Sequence, residues 1–141
     1  MCAYSEAYLK EVVETQGKLF GEVSEYEPGI DVKQFIHDYM TSKTRGFIDE
    51  GQAYVATLDS EELWNYFCKT ENYKTIQGDD IKGFLADWMG QFYAYFQWYY
   101  NIASRKVLEL VPLEFLQAAY YGLHDLELDL AVKKVGGQIG M

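Results

Sequence analysis

Sequence features that would reveal a catalytic chemistry are missing from this chain. Two of its 141 residues are cysteine and two are proline, so neither a disulfide framework nor a proline-rich linker is predicted. It contains no His-Glu-x-x-His, no paired Cys-x-x-Cys, no Glu-x-x-His and no glycine-rich phosphate loop. These absences exclude the common zinc, di-iron and nucleotide signatures. We therefore predict no catalytic residue, no metal site and no cofactor, and an enzyme is the less favoured class.

Basic residues are also scarce. Lysine and arginine total 12 against 22 acidic residues, and the formal net charge is −10. The only adjacent basic pairs are Arg105-Lys106 and Lys133-Lys134, whereas nucleic-acid binders normally carry a basic patch. We expect no direct nucleic-acid binding. An acidic surface favours a basic protein partner, although acidity also serves simply to keep a protein soluble.

Long apolar runs are absent as well. A membrane-spanning helix needs about 20 consecutive apolar residues, but Gln91, Gln97 and Asn101 interrupt the most apolar segment. The N-terminus has neither the basic region nor the apolar run of a signal peptide. These features predict no membrane association and a cytoplasmic location.

Aromatic residues, by contrast, are abundant. They make up 17% of the chain, with 13 tyrosines, and eight of the thirteen residues from Trp88 to Tyr100 are aromatic. On a helix turning about 100° per residue, the apolar residues of 80–103 cover roughly 220°, well beyond the ~100° stripe of a surface helix. We therefore predict a central helix over 80–103, capped by Asp79 or Asp80 and covered by neighbours on most sides. An aromatic cofactor site is the less favoured explanation.

The rest of this helix's circumference carries small or polar residues, among them Gly83, Ala86, Gly90 and Ala94. Glycine in an exposed helix costs about 1 kcal/mol relative to alanine. Two glycines on one face indicate either a close approach by another helix or a solvated surface, and the sequence leaves both open. A second copy of the chain is one candidate for the approaching helix, so a homo-oligomer is a possible state.

Helical periodicity and capping residues predict further helices before the central one. Ser5 is placed to cap the first. The second begins after Asp31 and continues to about Arg45. A short helix begins at Asp59, where Glu62 completes a capping box.

The last helix is predicted to begin at Pro112 and to stop at Gly136-Gly137. Residues 126–132 alternate with the period of a strand, but they are rich in helix-forming residues and no partner strand is apparent, so helix is preferred. Residues 138–141 are expected to be a frayed tail. The predicted fold is all-α: a single domain over 1–137, built as a bundle of about five to six helices around helix 80–103.

The two histidines offer little chemistry. His37-Asp38 and His124-Asp125 are neighbouring pairs, and adjacent residues on a helix face different directions, so neither pair is a ready catalytic dyad. His124 and Asp125 together with Glu127 and Asp129 could bind a metal ion, but a solvated acidic face explains them better.

Tyrosine gives the best functional indication, because its apolar ring and polar tip suit protein interfaces. Tyr93, Trp98 and Tyr100 lie at the margins of the apolar arc of the central helix. We predict them as partner- or ligand-binding residues. The alternative is that they pack within the chain.

Segments 87–104, 111–116, 122–126 and 129–136 resemble a group of short bacterial proteins of uncharacterised activity. The similarity covers roughly residues 31–137. Members of that group are often encoded near genes for toxins that resemble ADP-ribosyltransferases. The resemblance implies an antitoxin or accessory role in a toxin system, and it supplies no site residues.

The sequence as a whole favours a non-enzymatic interaction module that binds a protein partner. Acidic residues would steer the encounter, and tyrosine or tryptophan would anchor it. The alternative is a small-molecule binder or enzyme whose aromatic-lined pocket lies beside the central helix, lined by Tyr93, Trp98 or Tyr100.

Overall fold

The secondary structure is helical throughout the described residues, 2–81 and 83–141, of the computed structural model. A 3₁₀ turn at Glu6–Tyr8 precedes nine α-helices within these ranges. Their bounds are α1 Leu9–Tyr26, α2 Val32–Met40, α3 Lys43–Asp49, α4 Ala53–Ala56, α5 Ser60–Glu71, α6 Leu85–Tyr100, α7 Ser104–Leu110, α8 Leu113–Leu123 and α9 Leu128–Gln138. The predicted all-α class is confirmed, and the expected number of helices was slightly low.

Local capping residues explain where several helices begin. Asp31 accepts a hydrogen bond from the backbone N–H of Gln34 at the start of α2. Asp59 and Glu62 form the predicted reciprocal capping box at the start of α5. The predicted continuation of the second helix to Arg45 is wrong, because Ser42 caps a separate helix, α3.

The central helix α6 is shorter than predicted. It begins at Leu85 rather than at residue 80, and Gly83 just before it has a positive φ of 72°. Phe84 is the N-cap residue and makes no side-chain capping bond, so the predicted Asp79 or Asp80 cap is wrong. At the other end Asn101 adopts the left-handed conformation that ends a helix. Its side-chain oxygen accepts hydrogen bonds from the backbone of residues 2 and 3.

The small-residue face of α6 packs against α1. A Cβ atom added to Gly90 would lie 2.6 Å from the backbone oxygen of Gln16, and one added to Gly17 would lie 2.7 Å from Cγ of Gln91. Glycine at both positions lets the two helices come this close. The close approach is therefore the correct alternative at Gly90. Because α1 already covers this face, it cannot serve as a contact between two copies of the chain.

The C-terminal part contains two helices where one was predicted. The chain leaves the helical conformation after Leu123 and begins α9 at Leu128. Most of the ambiguous segment 126–132 is therefore helical. The pair Gly136-Gly137 does not stop this helix, which continues to Gln138, and Gly136 is buried against the ring of Tyr100.

A second aromatic cluster forms the core between α2 and α5. The ring of Phe35 lies within 6.3 Å of five other rings, measured between centroids. These rings belong to Phe20, Tyr39, Trp64, Phe67 and Tyr73. The apolar core is thus shared between α6 and this cluster. No helix in the described ranges is both long and apolar enough to cross a membrane.

Candidate functional site

The three predicted binding residues have different positions on α6. Tyr93 is fully buried, and its hydroxyl donates a hydrogen bond of 2.8 Å to the backbone oxygen of Val111. Trp98 is half-buried. Tyr100 is also half-buried and packs against Phe96 and Gly136. Of the three, Trp98 and Tyr100 keep part of their rings at the surface, and a binding role for them stays a prediction.

One side of α6 carries a row of incompletely covered rings, which we call the aromatic stripe. It consists of Phe84, Trp88, Tyr95, Trp98 and Tyr99. Phe84 is 82% exposed and Tyr99 is 42% exposed, while the other three rings are half-buried. The helix α6 is covered on most sides, as predicted, and this line of rings is the exception. Isolated exposed apolar residues are ordinary in proteins, whereas a contiguous apolar surface marks an interaction site.

The rings of the stripe support one another. Tyr95 lies edge-on to Trp98 with centroids 5.5 Å apart, and it stacks on Tyr99 at 6.5 Å. Trp88 meets the ring of Tyr120 from α8 at 5.3 Å. These contacts hold the rings in defined orientations before any partner arrives, which lowers the entropy cost of binding.

The surface extends from Trp88 onto α8. Tyr120 stacks on His124 with centroids 4.5 Å apart and touches Tyr121 at 5.4 Å. Tyr121 is 78% exposed. An aromatic surface therefore spans two helices, which are joined by the contact between Trp88 and Tyr120.

The charges beside the stripe are mostly negative. Burial, followed by nearby charges that include Asp129 and Glu6, raises the pKa of Tyr95 above its ordinary value. Asp87 does not add to this charge, because it lies on the small-residue face of α6 against Gly17 and Gly21 of α1, where its carboxylate accepts a hydrogen bond from Gln91. Among the described residues, the ammonium group of Lys133 lies 5.6 Å from the centre of the Tyr99 ring and 3.8 Å from a carboxylate oxygen of Asp129. The face of the Tyr99 ring is thus accessible to a positive charge.

A buried polar network, which was not predicted from the sequence, connects α6 to α1, α3 and α7. The guanidinium of Arg45 is fully buried and donates to Asp49 at 2.8 Å, to Gln16 at 2.8 Å and to Gln97 at 2.6 Å. The second carboxylate oxygen of Asp49 accepts from the backbone N–H of Ser104 at 2.9 Å. Among the described residues, no buried side-chain nitrogen or oxygen lacks a partner. Because its buried polar groups all have hydrogen-bond partners, this network holds α1, α3, α6 and α7 together.

Two sequence signals could have revealed this network. Arg45 and Asp49 are four residues apart, the spacing at which a helix brings side chains together. Gln16 stands within the apolar pattern of the first helix, and Gln97 lies on the small-residue face of the central helix. A polar residue at such a position needs a buried partner.

A polar cleft of about 430 Å³ opens beside the network. Its lining includes Cys2, Lys43, Asp49 and Arg105, with no histidine. Asp49 already accepts hydrogen bonds from Arg45, Gln97 and Ser104, so its carboxylate is committed to the fold. Neither an activated nucleophile nor a free general base is formed here.

Five clefts on the described residues were compared, and none of them is lined by Tyr93, Trp98 or Tyr100. The alternative of an aromatic-lined pocket beside α6 therefore gains no support from the surface.

In both histidine–aspartate pairs, the two side chains lie closer together than adjacent positions on a helix predict. A ring nitrogen of His37 lies 3.4 Å from the carboxylate of Asp38, and one of His124 lies 3.3 Å from that of Asp125. Both histidines are exposed, and Asp38 also accepts hydrogen bonds from Gln34 and Tyr73. Within residues 2–81 and 83–141, no group of three or more potential ligands is arranged to hold a metal ion.

Comparison of the chain with protein families, curated proteins and solved structures found no match. The site must therefore be interpreted from its own geometry, in which the aromatic stripe is the main unexplained feature.

Proposed function

We propose that this protein is a non-enzymatic, all-helical interaction module that binds a protein partner through the aromatic stripe. The observation that carries the proposal is the exposure of Phe84 and Tyr99 in one row with three half-buried rings. Covering a large apolar side chain is worth about 1.5–3 kcal/mol. Tyrosine and tryptophan are also enriched among the residues that dominate binding energy.

The resemblance of residues 31–137 to proteins encoded near toxin genes supplies the biological setting of the proposal. The protein would act in the cytoplasm as the antitoxin or accessory protein of a toxin system, with the toxin as its partner. A net charge of −10 favours a partner with a basic surface.

Affinity capture from the native organism tests the proposal, using wild-type protein and the double variant Phe84→Ser with Tyr99→Ser. We expect one partner in a stoichiometric amount with the wild type and its loss with the double variant. The complex should form again from the two purified proteins, and its association should slow as salt rises.

The matched control is Tyr54→Ser, because Tyr54 is 70% exposed but lies on α4, outside the stripe. This variant should capture the partner as the wild type does. The proposal is wrong if the wild type captures no stoichiometric partner, or if the stripe variant retains it in full.

A further inference from the structure

The spacing of the stripe indicates the shape of the surface it fits. Its members Phe84, Trp88, Tyr95 and Trp98, with Gln91 between them, follow one another at intervals of four, three, four and three residues. This is the spacing at which one helix presents side chains to a second helix lying along it. The row from Phe84 to Tyr99 is about 22 Å long at 1.5 Å per residue, which matches about four turns of a partner helix.

Other peptide shapes fit this surface less well. An extended strand needs a sheet edge with free backbone groups. Across residues 2–81 and 83–141, the only β-type pairing is one isolated bridge between Ile30 and Gln77, neither of which belongs to the stripe. Along the interior of α6, the backbone groups are bonded within the helix. Side chains, rather than backbone hydrogen bonds, must therefore provide the contacts.

The charges near the stripe distinguish between two helical partners, a second copy of this chain and a basic helix of another protein. A second copy of this chain would carry the same net charge of −10 and would bring its own Glu6 and Asp129, which lie near Tyr95, to the same surface. Like charges at close range disfavour that pairing. A helix with lysine or arginine beside its apolar row would instead meet opposite charges. Lys133 already places an ammonium group over the Tyr99 ring, so the stripe accommodates a cation next to its apolar surface.

We propose that the partner docks a basic amphipathic α-helix along the aromatic stripe, with its apolar row on the rings and its lysine or arginine residues beside the acidic groups. This inference rests on the proposed function and adds the chemistry of the bound segment. Trp88, Tyr95 and Trp98 form the middle of the contact, and Phe84 and Tyr99 mark its two ends.

Synthetic helical peptides of about 18 residues test the inference, since this length covers the stripe. The first peptide has leucine at the alternating spacing of four and three, with lysine at the flanking positions. In the second, glutamate replaces lysine. The third has the composition of the first in a scrambled order. Binding to the full-length protein is measured by fluorescence anisotropy.

We expect only the first peptide to bind, with an affinity that falls as salt is raised. The double variant Phe84→Ser with Tyr99→Ser should weaken its binding at least tenfold, whereas Tyr54→Ser should leave it unchanged. Phe84→Ser alone provides a second variant whose folding is secure, because the side chain of Phe84 is 82% exposed.

Three results would overturn the inference: absence of binding by the first peptide, equal binding by the scrambled or glutamate peptide, or full binding by the stripe variant. Self-association of the wild type that the double variant abolishes would show instead that a second copy occupies the stripe. If these peptides fail while the captured partner is still lost in the stripe variant, only this inference fails and the proposed function remains.

Discussion

At the scale of single residues, the most consequential side chain is Arg45. Its guanidinium has no exposed surface, and its partners come from α1, α3 and α6. It also lies 5.5 Å from the centre of the Tyr4 ring, whose hydroxyl donates to the backbone of Ala94. A buried charge is tolerated only when it is fully paired, and here one residue meets that condition by joining three helices and the N-terminal segment.

The substitution Arg45→Met should therefore be strongly destabilising. It leaves Asp49 buried without its main counter-charge and removes a hydrogen-bond partner from both glutamines. Breaking a buried ion pair from one side costs about 3–5 kcal/mol, which urea unfolding followed by circular dichroism would measure. Arg105→Met is the matched control, since Arg105 is exposed, and its effect should stay within about 0.5 kcal/mol. Equal effects of the two substitutions would contradict the structural role of Arg45.

At the scale of elements, α6 has two faces with opposite properties. Its small residues lie against α1 at backbone distance, while part of its aromatic side faces solvent. The wide apolar arc in the sequence suggested that the aromatic side would be the covered one. Large rings hold a neighbouring helix away, whereas glycine and alanine let it approach, so the closest helix packing formed on the small face.

This packing predicts opposite effects for two glycine-to-alanine substitutions. Alanine normally stabilises a helix by up to about 1 kcal/mol relative to glycine. Gly90→Ala should nevertheless destabilise by about 1–3 kcal/mol, because its Cβ would meet the backbone of Gln16, which cannot move away easily. Gly122→Ala in α8 has open space around it and should stabilise by about 0.5–1 kcal/mol. Thermal or urea unfolding would measure both, and stabilisation by Gly90→Ala would exclude the close packing of α1 and α6.

At the scale of the whole molecule, the tyrosines link stability to pH. Burial raises the pKa of Tyr39 from 10.0 to about 12, and it also raises the pKa of Tyr4 and of Tyr93. Each of these groups is neutral in the folded protein at a pH where it would ionise in the unfolded chain. Their contribution to stability is fully present below about pH 10 and is lost as the pH rises toward their folded-state pKa values.

We therefore expect the free energy of unfolding to fall steeply above about pH 10, by up to about 1.4 kcal/mol per pH unit for each such tyrosine. Urea titrations between about pH 8 and about pH 11 would measure the slope. Tyr39→Phe should make that slope shallower. Tyr121→Phe, at a ring that is 78% exposed, should keep the wild-type slope. An unchanged slope in both variants would show that Tyr39 ionises as readily in the folded state as in the unfolded one.

Apolar periodicity and capping residues predicted the existence of the helices better than the positions at which one helix ends and the next begins. The capping box at Asp59 and Glu62 depends on residues three apart, and it formed as expected. The split between α2 and α3, the glycine turn before α6 and the break between α8 and α9 were not predicted. At each of these junctions the apolar periodicity continues across the break. Only packing against other helices decides whether a continuous pattern becomes one helix or two.

The sequence by itself determined the helical class of this protein, because the apolar period, the capping residues and the scarcity of proline act locally. It also determined a strongly acidic chain rich in aromatic residues. The tertiary structure decided which face of α6 is covered, that Arg45 is buried with Asp49 and the two glutamines, and which rings stay exposed in the stripe. Those outcomes depend on contacts between residues far apart in the chain, such as Arg45 and Gln97, 52 positions apart, and Gln16 and Gly90, 74 positions apart, which no local pattern specifies.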